Sequence, residues 1–282
     1  MKSINGKTTV LAIFGDPVVH SLSPTMHNAA FKELNWNCVY VPFRVAPDDI
    51  SLAVRSIRTL GLKGVNVTIP HKQAVVSELD EIIGDAKLSG SVNTIINQEG
   101  KLVGASTDGS GFIRSLREEG NFDASGKNVI LFGAGGGAIA VIYKLIAQNI
   151  KSLTVVNRNF AKAVNIQEKV WFDTQFEINV FDLKDLPKLT WENYDLLINT
   201  TSVGLHDEAT LVPQHFLNPN MFVYDLVYKK GDTTLVNQAK KVGCSTLAGL
   251  SMLLYQGVES FKLWFETEPP VEVMQKALHE IK

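Results

Sequence analysis

The sequence predicts an α/β protein made of two α/β domains, and three observations carry that reading. In the first part of the chain, strand-like runs alternate with helical patterns, the mark of an α/β layer. Further on, Asn128-Val129-Ile130-Leu131-Phe132 is almost continuously apolar, as a strand buried on both faces of a parallel sheet must be, and it runs into Gly133-Ala134-Gly135-Gly136-Gly137-Ala138. The third observation is size: 282 residues, 45% of them hydrophobic, suffice for more than one core.

In chain order, residues 9–14 read as a strand closed by the turn Gly15-Asp16-Pro17. A helix is expected from Pro24 to Asn35, with Ser23 as N-cap and Pro24 at the first helical position. Cys38 to Val45 is strand-like, and Asp48 to Leu60 is helical, ended by Gly61. Asn66-Val67-Thr68-Ile69 reads as a strand that sends Asn66 and Thr68 to one face. Pro70 then suits the start of a helix from His71 to Asp80. Lys72 would lie at the positive end of its dipole, which disfavours an ammonium by about 0.3–1 kcal/mol. Such a placement suggests a site, although a solvated surface lysine is the plainer reading.

Strands follow at Ser91 to Ile96 and Lys101 to Ala105, then a helix from Phe112 to Glu119. After the strand Asn128 to Phe132 come a helix from Ile139 to Gln148 and strands at Leu153 to Val156, Ile178 to Phe181, Leu196 to Ile198 and Phe222 to Leu226. With helices at Ala161 to Phe172 and Thr234 to Val242 between them, this is a doubly wound, Rossmann-type sheet. Two helices, Leu250 to Phe265 and Val271 to Ile281, close the chain. The first is expected to return to the N-terminal domain, so that residues 1–107 and 249–282 form one discontinuous domain and residues 108–248 the other.

Composition narrows the function. A net charge of −2 with no basic block or acidic tail gives no sign of nucleic acid or a membrane surface as partner. Cys38 and Cys244 lie outside any metal-binding spacing and read as thiols of a reducing compartment, so no metal is expected. The start of the chain lacks a signal-peptide layout and no apolar run would span a bilayer, so the expectation is a soluble, cytoplasmic enzyme.

Gly133-x-Gly135-x-x-Ala138 has the context that a dinucleotide fingerprint needs, a buried strand before it and a helix after it. Gly133 permits the tight turn, Gly135 lets the backbone approach a pyrophosphate, and Ala138 keeps helix and strand close. The next strand ends Val156-Asn157-Arg158-Asn159, without the acidic residue that would hold a ribose 2′-hydroxyl. Arg158 can instead hold a 2′-phosphate, with Lys162 adding charge, which favours NADP over NAD. Among possible substrate groups, the hydroxyls of Ser21 and Ser23 could bind a hydroxylated ligand, with Ser23 reading equally as a plain N-cap. Asn93, Asp108, Tyr228 and Gln256 each have structural readings as well, Asp108 as a helix cap.

Taken together these residues resemble the shikimate dehydrogenase family over nearly the whole chain. The resemblance rests on Gly15-Asp16-Pro17, His20-Ser21-Leu22-Ser23-Pro24, Asn66-Val67-Thr68-Ile69-Pro70-His71-Lys72, Ser91-Val92-Asn93-Thr94 and Thr107-Asp108-Gly109. It continues through the glycine loop, Asn157-Arg158, Asn199-Thr200-Thr201-Ser202-Val203-Gly204, Tyr224-Asp225-Leu226-Val227-Tyr228 and Gly249-Leu250-Ser251-Met252-Leu253 to Gln256. It implies reversible NADPH-dependent reduction of 3-dehydroshikimate to shikimate, a step toward chorismate and the aromatic amino acids. It implies that Ser21 and Ser23 hold the substrate carboxylate, that Asn66, Thr68, Asn93, Asp108 and Gln256 contact ring hydroxyls, and that Lys72 and Asp108 are the catalytic pair. On the cofactor side it implies roles for residues 133–137, Asn157, Arg158, Lys162, Thr200, Thr201, Ser202 and Leu226, with Tyr228 and Gly249 near the nicotinamide. Ile139 stands where many members carry Arg or Lys, Asn159 replaces a common Ser or Thr, and Lys162 replaces a frequent Arg, a better planar partner for phosphate. A quinate/shikimate dehydrogenase with relaxed choice of substrate or cofactor, or a non-catalytic NADP sensor, are the competing readings. A monomer or a homodimer fits equally.

Overall fold

A computed structural model describes residues 3–280. They fall into two compact units, one running up to Gly111 and resuming at Leu253, the other Phe112–Met252.

The first unit opens with β1 (Thr9–Gly15), α1 (Ser23–Glu33), β2 (Cys38–Arg44), α2 (Ile50–Thr59) and β3 (Gly64–Val67). Short β4 (Glu81–Ile82) and α3 (Asp85–Ser89) precede the hairpin of β5 (Thr94–Gln98) and β6 (Lys101–Ala105), after which α4 (Asp108–Glu118) begins. The six strands form one mixed sheet in the order β2-β1-β3-β5-β6-β4, with β5 antiparallel to both its neighbours. Ala12, Phe14, Val54, Ile57, Val65, Val67 and Ile95 make the core on one face, where the inward residues of α2 are buried.

In the second unit β7 (Asn128–Phe132), α5 (Gly136–Ala147), β8 (Ser152–Val156), α6 (Phe160–Thr174) and β9 (Ile178–Phe181) are followed by β10 (Leu196–Asn199) and β11 (Phe222–Asp225). Helix α7 (Thr234–Val242) and β12 (Ser245–Ala248) complete it, and β12 leads without a loop into α8 (Gly249–Phe265). The order β12-β11-β10-β7-β8-β9 is parallel throughout and reverses direction between β7 and β10. That is the doubly wound topology, whose ligand crevice lies at the carboxyl ends of the strands flanking the reversal. The apolar run of β7 divides strictly by alternation. Val129 and Leu131 enter one core and Ile130 and Phe132 the other, so both faces are covered. Helix α9 (Val271–His279), in the first unit, packs on α1. Ile281, the last residue of the helix expected from sequence, lies outside the described residues.

Three local expectations are corrected. No α-helix runs from His71 to Asp80; the chain turns, then makes a 3-10 segment at Ala74–Glu78. The Lys72 carbonyl, which a helix would offer to the Val76 N–H, accepts from the Val92 N–H at 2.8 Å, and Val76 bonds back to Gln73 instead. Tertiary pairing has overridden the local pattern, and Lys72 meets no helix dipole. Ser23 does not cap α1 but is its first residue; Leu22 occupies the cap position without a side-chain bond. Thr68 lies beyond the end of β3, so it is not the strand partner of Asn66. Beyond these, β12, β4 and α3 had no counterpart in the sequence reading.

Candidate active site

The pair at the centre of the first unit is Lys72 and Asp108. Lys72 comes from the turn after β3, which is fixed at both ends. The buried His71 ring has Nε2 2.8 Å from the Val45 carbonyl, and the Lys72 carbonyl is held by Val92. Asp108 opens α4 and is buried. Lys72 Nζ donates to Asp108 Oδ2 at 2.6 Å, and Asn93 Nδ2 donates to Asp108 Oδ1 at 2.8 Å. Each carboxylate oxygen therefore has its own donor. The lysine side chain keeps 24% of its exposure against 6% for the aspartate, so the lysine is the more exposed member of the pair.

Asn93 has its orientation dictated by a neighbour. The Thr107 backbone N–H can only donate, and it donates to Asn93 Oδ1 at 2.8 Å, which turns Nδ2 toward the carboxylate. Gln256 Oε1 lies 3.3 Å from the same Nδ2. Helix α8 brings Gln256 there because Gly111 of α4 has no side chain. A Cβ at 111 would strike the backbone of Gln256.

The other residues expected at the substrate are placed less uniformly. Asn66 is 4% exposed and already engaged. Its Oδ1 accepts from the Tyr40 hydroxyl at 2.7 Å, and its Nδ2 donates to the Asn93 carbonyl at 3.0 Å, with Ser260 Oγ also at 3.0 Å. Burial holds the Tyr40 phenol well above its usual pKa, with the Ser23 hydrogen bond acting in the opposite direction, so Tyr40 remains a donor. Ser21 is half-buried, and its Oγ accepts from the Ser23 N–H at 3.4 Å. Thr68 is half-buried, and its backbone N–H bonds to Phe14. Among the described residues, no group of His, Cys, Asp and Glu is arranged to hold a metal ion, and no helix is long and apolar enough to cross a membrane.

In the second unit, the loop after β7 sits at the reversal of strand order. Gly133 has φ +119, and a Cβ there would meet the Thr200 side chain at the end of β10, so the close approach of the two strand ends requires glycine. Thr200 Oγ1 donates to the Phe132 carbonyl at 2.6 Å. Gly135 and Gly137 face open space, and Gly135 caps α5 without a side-chain bond, leaving the first N–H groups of a twelve-residue helix free for a ligand. Arg158, just past β8, is exposed and has no ion pair among the described residues; Asn157 Nδ2 donates to the Asn159 carbonyl at 2.8 Å. Asn159 caps α6 by accepting from the Lys162 N–H.

Thr201 is oriented by Asn199, whose Oδ1 accepts from both its N–H and its hydroxyl. Asn199 in turn donates to the buried Asp225 at 2.8 Å. Burial raises the Asp225 pKa, against the pull of Thr233, the Val227 N–H and Asn199. Leu226 follows Asp225, and its backbone is covered by Gly249, where a Cβ would meet the Leu226 carbonyl. Tyr228 is exposed and Ser202 lies on the surface. The supporting residues Tyr40, Thr94, Thr107, Ser260, Asn199 and Thr233 have no site role in the sequence reading, although Thr94, Thr107 and Asn199 fall within its motifs. Their signal lies in pairings between distant positions, which local patterns do not carry.

The shikimate dehydrogenase substrate binding domain model matches residues 13–95, the shikimate / quinate 5-dehydrogenase model residues 116–210, and the shikimate 5'-dehydrogenase C-terminal domain model residues 249–279. A shikimate dehydrogenase (NADP(+)) of Desulforamulus reducens is 44% identical over 98% of this chain and 97% of its own. The chain belongs to the shikimate dehydrogenase family. Another member, from Pyrococcus furiosus, is 44% identical over 97% of this chain and 96% of its own. In solved structures, a shikimate dehydrogenase in complex with NADP+ superposes with a TM-score of 0.93 at 38% identity, covering 99% of this chain and 97% of that one. A shikimate 5-dehydrogenase from Listeria monocytogenes in complex with shikimate and NAD gives a TM-score of 0.92 at 35% identity, covering 99% of each chain. The family resemblance drawn from the motifs thus holds over the full length. In family terms, the Lys72–Asp108 pair lies in the unit containing the substrate-binding domain match, and the glycine loop in the other.

Proposed function

We propose that the chain is an NADP-dependent shikimate dehydrogenase, reducing 3-dehydroshikimate reversibly to shikimate, with Lys72 and Asp108 as the acid-base pair. The observation that carries the proposal is the 2.6 Å contact of Lys72 Nζ with an aspartate whose second oxygen is held by Asn93. The residues of the second unit fit a dinucleotide: an uncapped helix N-terminus for the pyrophosphate, Gly135 and Gly137 facing open space, and for a 2′-phosphate the guanidinium of Arg158, which has no ion pair among the described residues. When bound, the nicotinamide supplies the hydride.

The chain's own part is the proton. A carbonyl oxygen that gains charge as its carbon is reduced must be protonated as the charge develops. The Lys72 ammonium gives that proton from Nζ, and in oxidation the neutral amine takes it from the hydroxyl. Partial exposure lets Lys72 exchange protons with water between turnovers. Asp108 holds Nζ in place and accepts a hydrogen bond from the substrate hydroxyl. Ser21 and Ser23 are assigned to the substrate carboxylate, Thr68, Asn93 and Gln256 to ring hydroxyls, and Asn66 to the same site. Tyr228 is assigned to the substrate beside the nicotinamide, and Thr200, Thr201, Ser202, Leu226 and Gly249 to the cofactor side, with Asn157, Arg158 and Lys162 at the adenosine phosphate. We place the enzyme in the cytoplasm as a monomer or homodimer.

A second reading, relaxed choice of substrate or cofactor, is favoured by the neighbouring structure that holds NAD with shikimate and by Lys162 standing where a planar partner would serve better. Steady-state assays of shikimate and quinate, each with NADP+ and NAD+, separate the readings. The proposal expects the highest kcat/KM for shikimate with NADP+. Comparable values for quinate or NAD+ would support relaxed choice. No turnover of either acid would leave a binding protein without catalysis.

A further inference from the structure

We propose that Ser260, a buried serine on α8, is a positioning residue that keeps the Asn93 carboxamide aimed at Asp108; the inference rests on the acid-base reading of Lys72 and Asp108. Ser260 is 0% exposed and touches no reacting group. Its Oγ lies 3.0 Å from Asn66 Nδ2, 2.8 Å from Thr94 Oγ1 and 3.2 Å from Thr107 Oγ1, so one hydroxyl joins β3, β5 and the residue before α4. It donates its own proton to the Gln256 carbonyl at 2.9 Å, an atom that can only accept. Its two lone pairs can then accept from two of the other three neighbours.

The proton inventory shows why that matters. Asn93 Oδ1 has two lone pairs, and the Thr107 N–H takes one. The hydroxyls of Thr94 and Thr107 lie 2.9 and 3.2 Å from the same oxygen and compete for the one that remains. Asn66 Nδ2 spends one hydrogen on the Asn93 carbonyl and has a second to place. Ser260 Oγ supplies the acceptor positions that let all three protons find partners. Without it, Asn66 turns to Thr94 Oγ1 at 3.1 Å, and the two threonine hydroxyls are left with one acceptor between them. A buried hydroxyl proton then goes unpaired beside the amide that holds Asp108, or the amide turns to relieve it.

Loss of a second hydroxyl should therefore repair the loss of the first. Ser260→Ala should leave the KM for NADP+ unchanged and lower kcat for shikimate oxidation about tenfold, the size expected of one unpaired buried donor. Adding Thr107→Val removes the surplus proton while preserving shape. It also removes Oγ1 as an acceptor 2.9 Å from Asn93 Nδ2, whose two hydrogens keep Asp108 Oδ1 and Gln256 Oε1, so Ser260→Ala/Thr107→Val should recover most of the lost kcat. Thermal melting of each variant runs alongside. A Ser260→Ala variant that fails to fold while the double variant folds and turns over also supports the assignment. Undiminished kcat in Ser260→Ala, losses that multiply in the double variant, or failure of both to fold would overturn it, the last by making Ser260 a packing residue. A wild type that does not turn over shikimate would instead sink the functional reading, which the same assay reports separately.

Discussion

At the scale of single residues, the site depends on a few side chains whose proton roles are forced by neighbours that can only donate or only accept. Thr107 N–H fixes Asn93, Asn93 fixes one oxygen of Asp108, and Lys72 takes the other. Arg158 has no competing carboxylate among the described residues, so its charge is available to a ligand phosphate. Arg158→Ala should raise the KM for NADP+ by about tenfold or more, the worth of a charge-assisted pair, and leave that for NAD+ nearly unchanged. Equal losses for both would remove Arg158 from the 2′-phosphate. Lys72, Asp108 and Asn93 stand out in the sequence through the family motifs that hold them, since on its own each residue has a plainer structural reading. Ser260 does not, since its meaning comes from Asn66, Thr94 and Thr107, and the Asn66 contact spans 194 positions. No window of sequence contains such a hub.

At the scale of elements, packing between helices decides how accurately the site is built. Gly111 lets α4 and α8 approach until Gln256 reaches Asn93. Gly111→Ala should force those helices apart, cost about 1–3 kcal/mol as other overpacked sites do, and raise the KM for shikimate. Thermal melting and substrate titration check it, and an unchanged Tm with unchanged KM would show that the approach is not tight. The strands of the second sheet were legible because burial on both faces writes a continuous apolar run, as in β7. The edge strand β12 was not, since Ser-Thr-Leu-Ala is short and only partly covered. The segment after Pro70 was misread as a helix because the Lys72 carbonyl bonds to Val92, a partner no local pattern announces.

At the scale of the whole molecule, one buried histidine ties stability to pH. His27 is fully buried among Tyr40, Phe31, Phe261 and Trp264, neither ring nitrogen has a hydrogen-bond partner among the described residues, and burial lowers its pKa from 6.5 to about 3. The unfolded chain takes up a proton as pH falls through 6.5, whereas the folded chain does not until about 3. Its contribution is therefore intact above pH 6.5 and is lost between those values, with a limiting slope of about 1.4 kcal/mol per pH unit. Urea unfolding from pH 7 down to pH 5 should show a decline of about 2 kcal/mol that is absent in His27→Leu. Parallel pH profiles would mean that the ring is charged or solvated when folded. Lys72 is proposed to move the proton, and the most direct test of that role is kcat for shikimate oxidation in wild type and Lys72→Ala. A fall of about a thousandfold, within the range of general acid-base catalysis, with little change in the KM for shikimate is the predicted result. An unchanged kcat would contradict it.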